Sequence, residues 1–160
     1  MLKNLFKSKK PSFTSSDIAL FALRIALGWL FFYSGVMKIM DPAWDASKFL
    51  LGAKTFTGFF SWFASDANIG WVNAINAWGQ ALIGLSLLSG TLVRISSVGG
   101  VLLMLLYYFP GLDFPLVKSG FLIDQHIIYI LIFILFACER AGTFWGLDAF
   151  VNKKIKSWWV

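Results

Sequence analysis

The chain has 160 residues, of which 58% are hydrophobic and only 14% charged, with a net charge of +6 and a mean hydropathy of +0.72. Such a composition lies far from the globular average and excludes an ordinary water-soluble domain; it describes a bilayer protein of one domain, 1–160. One histidine and one cysteine exclude the usual ligand sets of haem, zinc and copper sites and any thiol-disulfide pair within the chain, and no flavin motif is present, so no haem, metal or flavin is expected.

In lipid, every backbone polar group needs an internal partner, and no stretch alternates with period 2 long enough for a barrel, so the expected core is helix on helix. A basic segment, 1–16, leads into a first span over about 18–40, with Ser15, Ser16 and Asp17 as its N-cap signal. Residues 43–64, AWDASKFLLGAKTFTGFFSWFA, are too aromatic for a solvated loop. They read as an interfacial or re-entrant helix on the outer face, either a plain cover over the bundle or a lid over a cavity.

Further spans follow at about 71–90, 95–112 and 121–138, the second and third joined by a tight turn at Thr91 to Arg94. The fold class is therefore all-α: a four-transmembrane-helix bundle with that extra helix between helices 1 and 2. Lys3, Lys7, Lys9, Lys10, Arg94, Arg140, Lys153, Lys154 and Lys156 fall on one side. Lys48, Lys54 and Lys118 fall on the other, diluted by aspartates. The positive-inside rule then puts both termini, with the tails 1–16 and 139–160, in the cytoplasm of a cell (inner) membrane. The excess charge serves topology and anionic lipid and needs no nucleic-acid partner. Trp44, Trp62 and Trp71 mark the outer interface, and Trp145, Trp158 and Trp159 the inner one.

Ionisable groups inside a bilayer are costly and stand out. Arg24 lies two turns into the first span, where an ion pair with Glu139 or Asp148 would tie helix ends together. The alternative is an anion site built from Arg24, Arg94 and Arg140. Lys38 stands roughly 21 Å further along the axis and belongs with His126 in an outer layer that Asp124, Gln125 and Tyr129 also reach. Asn73, Asn76 and Gln80 form one polar stripe on the second span, read either as interhelical hydrogen bonding or as a cavity lining. His126, Lys38 and Tyr129 are the candidate catalytic groups, and Asn73, Asn76, Gln80 and Asp124 the candidate cofactor-binding ones. A quinone carbonyl asks for a donor that also passes a proton. Histidine does this near neutral pH when a carboxylate sets its tautomer. Against that stands a surface histidine that merely hydrogen-bonds its neighbours. Small residues at Gly28 and Gly35, Ser86 and Gly90, and Ser96 and Gly100 read as packing seams.

The segments LRIALGWLFFYSGVMKI, WGQALIGLSLLSGTLVRISS and DQHIIYILIFILFACERAGTFWGLD resemble the DoxX family, and the long outer segment with its final GLD is similar to the DoxD-like branch. The family pattern falls on Arg24, Gly35, Lys38, Gly79, Gly84, Gly90, Arg94, His126, Tyr129 and Asp148. The chain departs from it at Gln80, where many relatives carry an acidic residue. The resemblance implies a four-helix membrane subunit of a thiosulfate:quinone oxidoreductase. Two readings stay open: a quinone-binding subunit that receives electrons through a partner, or a non-catalytic structural or assembly subunit of a larger membrane complex.

Overall fold

The computed structural model describes residues 14–117, 120–139 and 141–149; the sequence expectations at 1–13, Lys118, Arg140 and 150–160, including Trp158 and Trp159, lie outside them. Six helices follow in chain order: α1 (Ser15–Met40), α2 (Ser47–Leu51), α3 (Thr57–Phe63), α4 (Ile69–Ser89), α5 (Val93–Gly111) and α6 (Gln125–Cys138). Among the described residues, α1 and α5 are long and apolar enough to cross a membrane.

The N-cap of helix α1 lies one residue before the expected signal, at Thr14. Thr14 accepts from the Asp17 amide while the Asp17 carboxylate accepts from the Thr14 amide, a reciprocal capping box that leaves Ser15 and Ser16 inside the first turn.

Glycine controls how α1 meets α4. A Cβ at Gly35 would strike the backbone of Ala81, one at Gly84 would strike the backbone of Phe32, and one at Gly28 would lie 2.9 Å from Leu87 Cβ. The two helices therefore touch backbone to backbone, as small residues allow in an apolar medium. Across the α4–α5 hairpin, Gly90 turns with a φ of 69°, which glycine adopts at little cost, and Ser86 donates to Ser96 at 2.8 Å. Gly100 makes room on α5 for the Phe133 ring of α6. Leu27, Phe31, Leu87, Met104, Phe133 and Phe136 fill the bundle interior. Trp29, Trp78, Leu82, Leu102, Leu131 and Ile134 stay exposed around its girth. So much outward apolar surface is what lipid covers and water does not.

Two expectations change. The outer segment is two short helices rather than one, because Gly52 ends α2 and Phe56 turns with positive φ before α3. Leu50, Ala53 and Phe60 make a second small core beneath it, against Ile69, Val72 and Phe109. The last helix starts at Gln125, not at 121. The chain first forms three two-residue antiparallel strands, β1 (Leu112–Asp113), β2 (Leu116–Val117) and β3 (Gly120–Phe121), with Leu112 opposite Val117 and Leu116 opposite Phe121. Asp124 then bends the backbone into an extended conformation and caps α6 from its side chain. With 14 residues, α6 is roughly 21 Å long, shorter than the hydrocarbon thickness of about 30 Å.

The glycines differ sharply in what they tolerate. Gly84→Leu should lower the thermal midpoint of the detergent-solubilised protein by at least the equivalent of about 1–3 kcal/mol, the usual cost of overpacking. Gly79, where an added Cβ would meet nothing within 4 Å, should accept alanine with no loss. Equal midpoints for Gly84→Leu and the parent would contradict the backbone contact.

Candidate functional site

The sequence separates two polar layers, and the structure builds them at opposite ends of the bundle with different chemistry. At the end holding the start of α1, Arg24 is fully buried. Its guanidinium donates to the carbonyls of Ala141 at 2.5 Å and of Phe144 and Trp145 at 3.1 Å, and it lies 5.2 Å from the Phe21 ring centre. Asp148, also buried, accepts from the amides of Leu92 at 2.7 Å and Val93 at 3.1 Å, capping α5. The expected Arg24–Glu139 pair does not form: Glu139 is an exposed helix cap. Nor do Arg24 and Asp148 bond each other directly. Both ends of the anticipated pair serve the backbone instead, because helix ends and the turn at Ala141–Thr143 leave carbonyls and amides that need partners. Both Nη atoms donate to protein carbonyls, while the buried Nε has no partner among the described residues. Arg94 sits half-buried in the first turn of α5. Arg140 lies outside the described residues.

The other end holds a cavity of about 520 Å³. Lys38, in the last turn of α1, donates to Asn76 Oδ1 on α4 at 2.8 Å and to the Tyr107 hydroxyl on α5 at 2.6 Å, while that hydroxyl donates to Asn76 Oδ1 at 2.7 Å. Three helices thus share one closed hydrogen-bond ring. The ammonium also lies over the rings of Trp44 at 4.7 Å and Tyr107 at 5.1 Å, a setting that favours a cation without a carboxylate. Two of its three protons are used in the ring, and the side chain lines the cavity.

The opposite lining belongs to α6. His126 Nδ1 lies 2.6 Å from Asp124 Oδ2, and Asp124 Oδ1 accepts from the His126 amide at 2.9 Å. A neutral His126 that donates from Nδ1 to Asp124 keeps Nε2 as its acceptor. The Tyr107 and His126 rings meet edge to face at 6.0 Å between centres, so Tyr107 joins the Lys38 ring to the histidine pair. The α2–α3 segment closes the space with Phe49, Leu50, Phe60 and Phe63. Its Lys54 amide and Thr55 hydroxyl hold it to the carbonyls of Pro110 at 3.0 Å and Leu112 at 2.6 Å. Lys48 and Lys54 are exposed above it.

Not every expected residue arrives there. Asn73 misses the cavity and anchors the start of the outer segment, donating to Asp45 at 2.7 Å and accepting from the Ala46 amide at 3.1 Å. That donation holds the Asp45 carboxyl below its ordinary range. Gln80 and Tyr129 line a second cavity behind Tyr107 and His126. Tyr129 packs edge to face on Phe31 and has no contact with Lys38. The side chain that sequence reasoning missed is Tyr107. It lies in an apolar run with no polar neighbour at helical spacing, so the stripe signal that revealed Asn76 gave nothing for it.

A DoxX family model matches residues 19–110. The chain belongs to the DoxX family. DoxX is a membrane family, which agrees with the apolar girth described above. The matched DoxX stretch contains Lys38, Asn76 and Tyr107, whereas Asp124, His126 and Asp148 lie beyond it. No curated protein and no solved structure matches the chain.

If the Arg24 and Asp148 layer is structural, losing it should unfold rather than disable. Asp148→Ala would remove the acceptor of the Leu92 and Val93 amides, and orphaning the buried Val93 amide alone costs about 1–3 kcal/mol. It should depress the thermal midpoint strongly while the surviving folded fraction keeps its behaviour at the Lys38 end. An unchanged midpoint would show that the cap is dispensable.

Proposed function

We propose that this chain is the quinone-interacting membrane subunit of an oxidoreductase, and that the cavity between Lys38 and His126 receives the quinone head. The observation that carries this reading is the meeting, in one mostly apolar cavity, of the Lys38–Tyr107–Asn76 ring and the Asp124–His126 pair. Ligand cavities are commonly of this size, apolar with a few convergent polar groups.

The residues suit the group. Lys38 would hold one quinone oxygen through its third N–H, with Asn76 and Tyr107 fixing the ammonium, and Phe49, Phe60, Ile75 and Leu103 would flank the ring. His126, oriented by Asp124, would exchange a proton at Nε2. Tyr129, expected beside them, keeps to the second cavity. A bound quinone supplies two-electron, two-proton redox chemistry. The protein's own share is to bind, orient and exclude water.

In this reading four helices span the inner membrane with both termini in the cytoplasm, so the cavity faces the outer leaflet. A partner subunit delivers the electrons. The DoxD-like features, the long 43–64 segment and the closing Gly146, Leu147 and Asp148, extend the proposal to thiosulfate as the reductant. A second reading, a non-catalytic assembly subunit, is favoured by one observation: the Lys38 ring also clamps α1, α4 and α5 together.

Titration of decylubiquinone against the purified chain in nanodiscs separates them. Lys38→Met and His126→Ala should each weaken binding at least tenfold, roughly 1.4 kcal/mol, with the thermal midpoint nearly unchanged for His126→Ala. Unaltered binding in both variants would overturn the quinone reading, and a lowered midpoint for Lys38→Met with no ligand effect would favour the clamp.

A further inference from the structure

Behind Tyr107 and His126 lies a second cavity of about 570 Å³ that has no part in the reading above. Helix α1 contributes Trp29 and Ser34 to it, α4 contributes Gln80, α5 Met104 and α6 Tyr129. Trp29 and Tyr33 stack on each other at 6.2 Å between centres, and both are more than half exposed, at 58% and 55%. They stand on the apolar girth of the bundle, so the cavity is approached from the side, where lipid lies, and not only from its end.

The decisive feature is Gln80. Its side chain is 5% exposed, and Oε1 has no hydrogen-bond partner. Buried amide oxygens are nearly always paired, and an orphan is destabilising. Gln80 lines the cavity, so a donor that enters it is placed to supply the missing bond. The orphan is an acceptor, so the matching group is a donor, and a hydroxyl supplies one without bringing charge. Ser34 adds a hydroxyl of its own to the same lining. The lining holds no aspartate, glutamate, lysine or arginine, which selects a neutral ligand. Trp29, Phe31, Tyr33 and Tyr129 supply aromatic surface, with Phe31 and Tyr129 already edge to face, and this favours a flat ring.

We propose that this cavity is a lateral binding site for a neutral aromatic alcohol on an apolar tail, a phenol or hydroquinone headgroup, hydrogen-bonded by Gln80. The site does not depend on what fills the Lys38 cavity. Tyr107 and His126 line both spaces, so they are poor discriminators, whereas Lys38 lines only the first and Gln80 only the second.

The test uses the full chain in nanodiscs, with tritiated 4-decylphenol as the probe. This compound is a hydroxylated ring with a tail and is redox-inert under assay conditions; saturable binding is measured above the partition into empty discs. The phenol should bind at least tenfold more tightly than decylbenzene. Gln80→Leu should erase that difference without lowering the thermal midpoint, since it removes an orphan. Trp29→Ala, an exposed change that leaves the core intact, should weaken phenol binding at least threefold. Phenol binding and its dependence on Gln80 should hold whether or not decylubiquinone binds. Equal affinities for phenol and decylbenzene, or phenol binding insensitive to Gln80→Leu and Trp29→Ala, would overturn the assignment. Monoolein binding as tightly as the phenol would overturn the aromatic class and give the site to a lipid hydroxyl.

Discussion

The contact between the backbones of α1 and α4 organises everything else in this protein. Lipid gives little reason for two apolar helices to adhere, so association depends on close packing, and Gly28, Gly35 and Gly84 with Ala81 supply it by leaving out side chains. Because the helices run antiparallel at this distance, the end of α1 lies beside the start of α4. Lys38 can then reach Asn76, and Tyr107 of α5 closes the ring. The same contact presses the other end of α1 against Gly90, where Arg24 occupies the space that a larger residue would take.

The two polar layers illustrate two uses of charge in an apolar setting. At the Arg24 end, a buried cation and a buried carboxylate are spent on backbone groups of turns and helix termini. At the Lys38 end, the charge rests on an amide oxygen, a phenol and two aromatic faces. Those partners are neutral, so the charge remains uncompensated and can favour an electron-rich ligand. A lysine held by carboxylates would lose that property.

Much of this was legible in the residues. The apolar composition, the long helices, the hairpin at Thr91 and the pairing of Lys38 with the His126 layer all follow from hydropathy, helical rise and the cost of charge in lipid. The DoxX resemblance rested on short motifs that the family match upholds over 19–110. Other features were hidden for physical reasons. The stripe of Asn73, Asn76 and Gln80 looked like one surface. Successive positions on a helix face different neighbours, however, so one residue anchors the outer segment, one joins the Lys38 ring and one enters the second cavity. The late start of α6 was masked because Phe121, Leu122 and Ile123 are as apolar as the helix they precede. Only the cap at Asp124 distinguishes them.

Sequence alone determined the medium, the helical architecture and the short list of polar residues, because these depend on transfer free energies and backbone satisfaction, which each segment carries within itself. Tertiary structure decided which polar residues meet. Partnership depends on crossing distance and on rotation about each helix axis, and both are set by contacts between segments far apart in the chain. That is why Tyr107, silent in its own sequence, stands between Lys38 and His126, and why Arg24 serves carbonyls more than a hundred residues away and not the carboxylates expected for it.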